Sequence, residues 1–547
     1  MSGLKQSAQP HTLTNAIFTE LSGGVLALTA ALLMVTHLVD TPRSWLLFYD
    51  SDSVLPALIH GSLAIGQPQD WAMSSVLFIP ELIVYLGLAA LGFSVKATFI
   101  LSAIINLVAV YLSFRFVTGC VMPNHPRRSR ITGALLAIAG VTIFVLLDST
   151  ANRNSLELVS LLATTTYYSA TVVGMIVTVG IVARILSPRH PQRISWVPIV
   201  VLFLVSMLST LTNPLYLAWS AVPVVIAVVA AGLPRVISRI SGALVICSIG
   251  VGAVGGLLLR IPLAPWITIS GVSYAQPDLF GRSLQYYATL LRMRLETVPG
   301  ALSAVLVLAL IGVNVAVFVR MLKHRNTAGM LVAGLGWMTP VIVTAGAILL
   351  GTDAARYLEP VFFAPLLGLC VLPAIRRQVP LRQQRVRQGI RRPEPTGWRP
   401  ARPKALTQLL LPAISVVLAA SAIAVMVIAI PRLSTAANSI DPEVRCVDQW
   451  VTASGEIGVG EYWTIRGPKA YLPDPSRLIQ VNSDLNAYSW LVNRADFDAT
   501  RASFAVESSA DPPLHIPAAL RTTATQVTHC GRYTIVDYGR SALPIGQ

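Results

Sequence analysis

The chain has 547 residues, 54% of them hydrophobic and only 12% charged, with a mean hydropathy of +0.65. A soluble chain carries about twice that charge, so composition excludes an ordinary soluble globular protein. The net charge of +16 does not point to nucleic acid either, because Lys and Arg fall in short loops between apolar runs, where they set orientation in a bilayer.

Apolar runs at 21–39, 97–118, 131–147, 168–186, 196–211, 216–232, 242–259, 299–319, 329–350, 357–374 and 405–430 predict eleven transmembrane helices. The first has no small-residue cleavage site and reads as a retained span rather than a signal peptide. Basic loops follow alternate spans: Arg127, Arg128 and Arg130; Arg184, Arg189 and Arg193; Arg235 and Arg239; Arg320, Lys323 and Arg325; and the stretch 376–404. The excess of positive charge places all of these in the cytoplasm. The run Phe78–Leu91 breaks this alternation if it crosses. It is also only about 14 residues long, the length of an interfacial or re-entrant helix. It therefore reads as a shallow helix inside one long outer loop, Asp40–Lys96. The segments 148–157, 260–299 and 353–360 share that outer side, and the N-terminus lies inside.

The outer loop opens with Phe48-Tyr49-Asp50-Ser51-Asp52-Ser53. An Asp-x-Asp pair in a loop is commonly a solvated turn. At the mouth of a helix bundle, the same carboxylates suit a general base for an acceptor hydroxyl, or ligands for a divalent cation. Arg282, Arg292, Arg294 and Arg356 lie at the same depth. Each can either hold a phosphate through forked, charge-assisted hydrogen bonds or simply anchor at the headgroups. Glu81 opens the shallow helix, where a carboxylate also favours a helix N-terminus. This set suits transfer of a sugar from a lipid-linked phosphate donor. No P-loop and no Gly-x-Gly-x-x-Gly in a strand–helix unit is present, so no nucleotide pocket is expected.

The Arg-, Pro- and Gln-rich stretch 376–404 reads as a cytoplasmic or membrane-surface linker. Residues 431–547 are polar, with strand-like runs at Leu478–Val481, Ser503–Val506 and Tyr533–Val536, and predict a small α/β domain outside the membrane. Trp450, Tyr462, Trp463, Tyr488 and Trp490 form its core or an acceptor-binding face. Cys446 and Cys530 both lie in this domain and can pair there, whereas Cys120, Cys247 and Cys370 lie in or beside apolar runs.

The layout resembles the GT-C superfamily of polyprenyl-phosphate-dependent glycosyltransferases. In that family a first span leads to an outer loop with an Asp-x-Asp or Glu-Asp motif, and a short helix then lies on the outer surface. Asp50-Ser-Asp52, followed by Ile79-Pro80-Glu81 and the run to Leu91, match this order, and the resemblance covers residues 15–430. It implies an all-α polytopic membrane protein of the cell's plasma membrane, with Asp50 or Asp52 as catalytic base or as ligand of a magnesium or manganese ion. It implies a second acidic motif at Glu157 and Asn154, although Asn152-Arg153-Asn154 stands where acids are expected. Arg356-Tyr357 opens the tenth span like the Arg-Tyr-Leu-x-Pro segment of several members, placing the arginine near the donor phosphate; Arg282, Arg292 or Arg294 share that task. The implied partners are a polyprenyl-phosphate sugar donor, membrane lipid, and an outer glycan, glycolipid or protein acceptor. The competing reading is a transporter or flippase of a lipid-linked glycan. It requires ionisable residues inside the spans near mid-membrane, and most candidate groups here fall on one face instead.

Overall fold

Every one of the eleven apolar runs forms a helix. The computed structural model describes residues 10–187, 195–234, 236–268, 275–375 and 404–546; the expected basic positions Arg189, Arg193 and Arg235 and the linker 376–403 lie outside the described residues. In chain order the helices are α1 (Pro10–Val39), α2 (Ser44–Phe48), α3 (Leu55–Ala64), α4 (Ile79–Ala89), α5 (Val95–Val121), α6 (Arg127–Leu146), α7 (Ser169–Leu186), α8 (Trp196–Thr212), α9 (Leu217–Gly232) and α10 (Arg239–Leu258). There follow α11 (Phe280–Leu295), α12 (Val298–Lys323), α13 (Thr327–Leu349), the broken segment α14 (Ala355–Ile375), α15 (Lys404–Asn438), α16 (Pro442–Ser454) and α17 (Tyr462–Lys469). Among the described residues, 9 helices are long and apolar enough to cross a membrane, while the runs at α8 and α9 form shorter apolar helices. Leu302, Val305 and Leu308 on α12, and Val416, Ile423 and Val427 on α15, are each more than half exposed. A contiguous apolar belt of that kind belongs in lipid, not water.

Small residues let these helices close on one another. On α10, a Cβ at Gly252 would lie 2.5 Å from the Phe203 carbonyl oxygen of α8, and one at Gly256 would lie 2.4 Å from that of Met207. This Gly-x-x-x-Gly seam brings the two backbones into contact, as in close membrane-helix pairs.

The short helix α4 has 11 residues. At 1.5 Å per residue it rises about 16 Å, roughly half the hydrocarbon thickness of a bilayer. Ser94 caps α5 by accepting from the Ala97 amide, and its hydroxyl also donates to the Ala437 carbonyl at the end of α15. The end of α15 therefore meets the acidic-loop end of the bundle. That helix runs on to Asn438, past the domain boundary expected at 430.

Beyond α15 lies the expected α/β domain. Its sheet has the order β3-β2-β6-β8-β7, with β2 (Gly458–Glu461), β3 (Leu478–Val481), β6 (Phe504–Ser508), β7 (Gln526–Cys530) and β8 (Tyr533–Asp537); outside it the short β5 (Arg501–Ala502) pairs antiparallel with β9 (Leu543–Pro544). The β3, β2 and β6 strands run parallel, and β6, β8 and β7 antiparallel. A disulfide joins Cys446 on α16 to Cys530 on β7. The domain also reaches the membrane part through two short strands, β1 (Trp71–Ala72) and β4 (Val492–Asn493), which pair antiparallel with Trp71 opposite Asn493. Around that ladder Asn493 donates to the Pro68 carbonyl, and Arg494 pairs with Asp70 at 2.9 Å.

Candidate active site

The turn after α2 is not solvated. Asp50, Ser51, Asp52 and Ser53 are all buried. Side chains from distant segments take the turn's carbonyls: Tyr471 donates to Phe48, Arg466 to Ser51 and Thr165 to Ser53.

The two carboxylates then divide. Asp50 faces inward and is saturated: Oδ2 accepts from the Tyr167 hydroxyl at 2.9 Å and from the amides of Asp52 and Ser53, while Oδ1 faces Arg153 at 3.3 Å. Burial, and after it the charge of Asp52, push Asp50 above the usual carboxylate range, opposed by Arg153 and Tyr167. Asp50 is thus the keystone of the turn. Asp52 instead lines a cavity of about 370 Å³. Its Oδ1 accepts from the Tyr462 hydroxyl at 2.5 Å, and its Oδ2 faces Arg356 at 3.4 Å. Burial, and next the Asp52 charge, push the Tyr462 phenol well above its ordinary value, so it stays protonated and donates.

Arg356 and Tyr357 also line this cavity. The Arg356 Nε is buried without a hydrogen-bond partner among the described residues; the guanidinium faces Asp52 and the rings of Tyr167 and Tyr168, and its charge is also felt by the buried Glu359. Arg356 is only half-buried, but its buried, unpaired Nε is a costly donor unless an acceptor completes it. The rest of the wall is mostly apolar, from Val76, Phe78, Leu215, Leu217, Trp219, Val343 and Leu350, with Trp490 and Leu491 contributed by the C-terminal domain. Trp219 sits in a π turn at the start of α9 and donates to the Tyr357 carbonyl at 3.1 Å; such turns recur at functional sites. Phe78 and Tyr168, the residues preceding α4 and α7, are both left-handed, with φ of 50° and 66°, and their rings stack at 6.4 Å. Two bulky residues in that region store about 1–3 kcal/mol each, and both lie on the cavity wall.

The structure does not bring the other expected phosphate ligands to this cavity. Arg282 is exposed and pairs with Asp353 at 3.5 Å. Arg292 is 83% exposed and pairs with Glu296 one turn on. Arg294 is buried and already committed, to Glu157 at 2.8 Å and Asp148 at 3.0 Å. Glu157, expected in a second acidic motif, is likewise structural. It accepts from the Ser149 and Thr150 amides and faces Arg43 at 3.4 Å. Asn154 is exposed, its amide donating to Asn152. Arg43, Arg294, Asp148 and Glu157 thus form a buried knot that fixes the loop after α6 to α11. Burial pushes Asp148 up to about 6, against the pull of both arginines. Glu81 is buried too; Ser169 and the Ala170 amide donate to its Oε1, and its Oε2 has no partner among the described residues.

Among the described residues no three His, Cys, Asp or Glu side chains converge. The oxygens of Asp50 are already taken by donors, which leaves Asp52 as a lone carboxylate paired with a cation.

Tyr167, Tyr168, Trp219 and Arg466 are residues around the cavity and the turn that sequence reasoning did not single out, since nothing in the apolar runs or the polar tail marks them. Tyr462 was expected in the domain's core or on an acceptor-binding face, not as a partner of Asp52. No protein-family model matches the chain, and a search of curated proteins finds no match.

Proposed function

We propose that the chain is an integral-membrane glycosyltransferase that moves a sugar from a polyprenyl-phosphate donor to an acceptor outside the cytoplasm. The observation that carries this reading is the Asp52–Arg356 pair at the wall of a mostly apolar cavity. An apolar chain fits the wall, an anion fits the unused guanidinium donors, and a hydroxyl fits the carboxylate.

In the proposed step the donor phosphate engages Arg356 and competes with Asp52 for it. Asp52 then takes the proton of the acceptor hydroxyl. That oxygen bonds to the anomeric carbon as the bond from that carbon to the phosphate oxygen breaks. The electron pair leaves on polyprenyl phosphate, whose charge Arg356 balances. Acceptor, sugar and stereochemical outcome stay open, and no step is routed through a metal ion.

The reading takes all eleven apolar helices as crossings, α4 as an interfacial helix, and the acidic-loop end with the C-terminal domain as extracytoplasmic. Charge placement supports that orientation. Helix α6 starts at Arg127 and leads to Asp148 beside the site, while α12 starts just after Arg294 and ends at Arg320 and Lys323. The dense positive charge thus sits at the end away from Asp52, as it does on cytoplasmic faces.

The test is transfer by the purified protein in lipid nanodiscs, given a panel of polyprenyl-phosphate sugars. Asp52→Asn should lower turnover by about 10²–10⁴-fold, with expression and membrane insertion unchanged. Arg356→Met should weaken binding of polyprenyl monophosphate, the common product, by native mass spectrometry. Wild-type turnover in Asp52→Asn sinks the proposal. Movement of a lipid-linked glycan across proteoliposomes without transfer would identify a flippase instead.

A further inference from the structure

We infer that the C-terminal domain is part of the catalytic apparatus, with Tyr462 as a positioning residue that fixes the Asp52 carboxylate and decides which of its oxygens acts. This rests on the reading of Asp52 as the base.

The geometry is specific. Glu461 accepts from the Trp463 amide and so starts α17 at that point. One turn of helix then places Tyr462 and Arg466 on a single face. Both reach the acidic turn: Tyr462 donates to Asp52 Oδ1 at 2.5 Å, and Arg466 donates to the Ser51 carbonyl at 2.7 Å. Arg466 also holds Gln480 and the Leu491 carbonyl, so the face is braced from the domain's own sheet and from the cavity wall. The Ser51 hydroxyl returns a hydrogen bond to the Trp463 carbonyl at 3.2 Å. A carboxylate has two oxygens, and a donor fixed to one of them sets its plane. Tyr462 occupies Oδ1, which leaves Oδ2, the oxygen facing Arg356, as the basic atom. An acceptor hydroxyl therefore has to approach from the Arg356 side, where the leaving phosphate is held. Nothing in the membrane-embedded part donates to Oδ1 among the described residues, so the bundle alone leaves that carboxylate free to turn.

Tyr462→Phe keeps the ring and removes only the hydroxyl, which separates positioning from packing. The expected result is a kcat lower by roughly 10- to 100-fold, the loss of one charge-assisted hydrogen bond, with binding of polyprenyl monophosphate and melting temperature unchanged. The charged or titratable groups facing Asp52 are Asp50, Arg356, Tyr167, Tyr168, Arg466 and Tyr488, and all of them remain in the variant. Tyr462→Ala, which also opens a cavity, serves as the packing control. Wild-type kcat in Tyr462→Phe, with loss only in Tyr462→Ala, would make the role structural and overturn the inference. If Asp52→Asn is inactive in the same assay, the proposed function survives that outcome; if Asp52→Asn is fully active, both fall.

Discussion

Arg294 and Arg356 are cations of the same type at the same end of the bundle, yet their surroundings give them opposite tasks. Arg294 meets two carboxylates at 2.8 and 3.0 Å, so its charge is spent within the fold. Arg356 meets one, at 3.4 Å, and keeps an unpaired Nε among the described residues. Arg294→Met should therefore destabilise by about 3–5 kcal/mol, because Asp148 and Glu157 would stay buried with one cation between them. Arg292→Ala should change stability by less than about 0.5 kcal/mol, its ion pair being exposed. Thermal unfolding in detergent compares the two. Glu81 gives a pH prediction of definite sign. Burial raises its carboxyl above the ordinary range, against the donors Ala170 and Ser169. A raised folded-state value means its contribution is complete below the unfolded value and is lost as pH rises through the folded one. Glu81→Gln should thus raise thermal stability at neutral pH relative to the parent, and this advantage should vanish in acid; an advantage that grew in acid would contradict it. The sequence exposed the depth of each of these groups, because span positions fix depth. It could not say which arginine meets which acid, since Arg294 and Glu157 lie 137 residues apart.

The elements that carry long periodic signals were the readable ones. Eleven apolar runs became eleven helices, and the alternation in Leu478–Val481 and Tyr533–Val536 became β3 and β8. The two-residue strands β1 and β4 carry no such signal, and their pairing links Trp71 to Asn493. The π turn at Trp219 was also invisible, because the run at 216–232 is uniformly apolar and no periodicity marks a local widening. The run Phe78–Leu91, expected as a short helix, forms the 11-residue α4. On the proposed topology a cysteine at Phe93→Cys, which is an exposed position, should react with a membrane-impermeant maleimide added from outside, above the parent background. Labelling only from the cytoplasmic side would overturn it. The Cys446–Cys530 bond spans 84 residues and ties α16 to the edge strand β7. Reduction should cost the domain about 2–4 kcal/mol, read as a lower denaturant midpoint with dithiothreitol. Alkylation of Cys446 and Cys530 without reductant, located by peptide mass, would show the thiols free.

At the scale of the whole molecule, the helical bundle and the C-terminal domain are halves of one site. The bundle supplies the apolar wall, Asp52 and Arg356, while the domain supplies Tyr462, Trp490 and Leu491. Composition and charge made the membrane class and the polar domain legible, but not their union, because the contacts joining them cross more than 400 residues of chain. That separation has a consequence for biosynthesis. The acidic turn leaves the ribosome early, and Tyr462 and Arg466, which hold Asp52 and the Ser51 carbonyl, emerge only after every apolar helix has been made. A nascent or prematurely terminated chain would therefore hold an unbraced acidic turn and no finished pocket. Competence would arrive as a single late event, when the tail folds back onto the first loop.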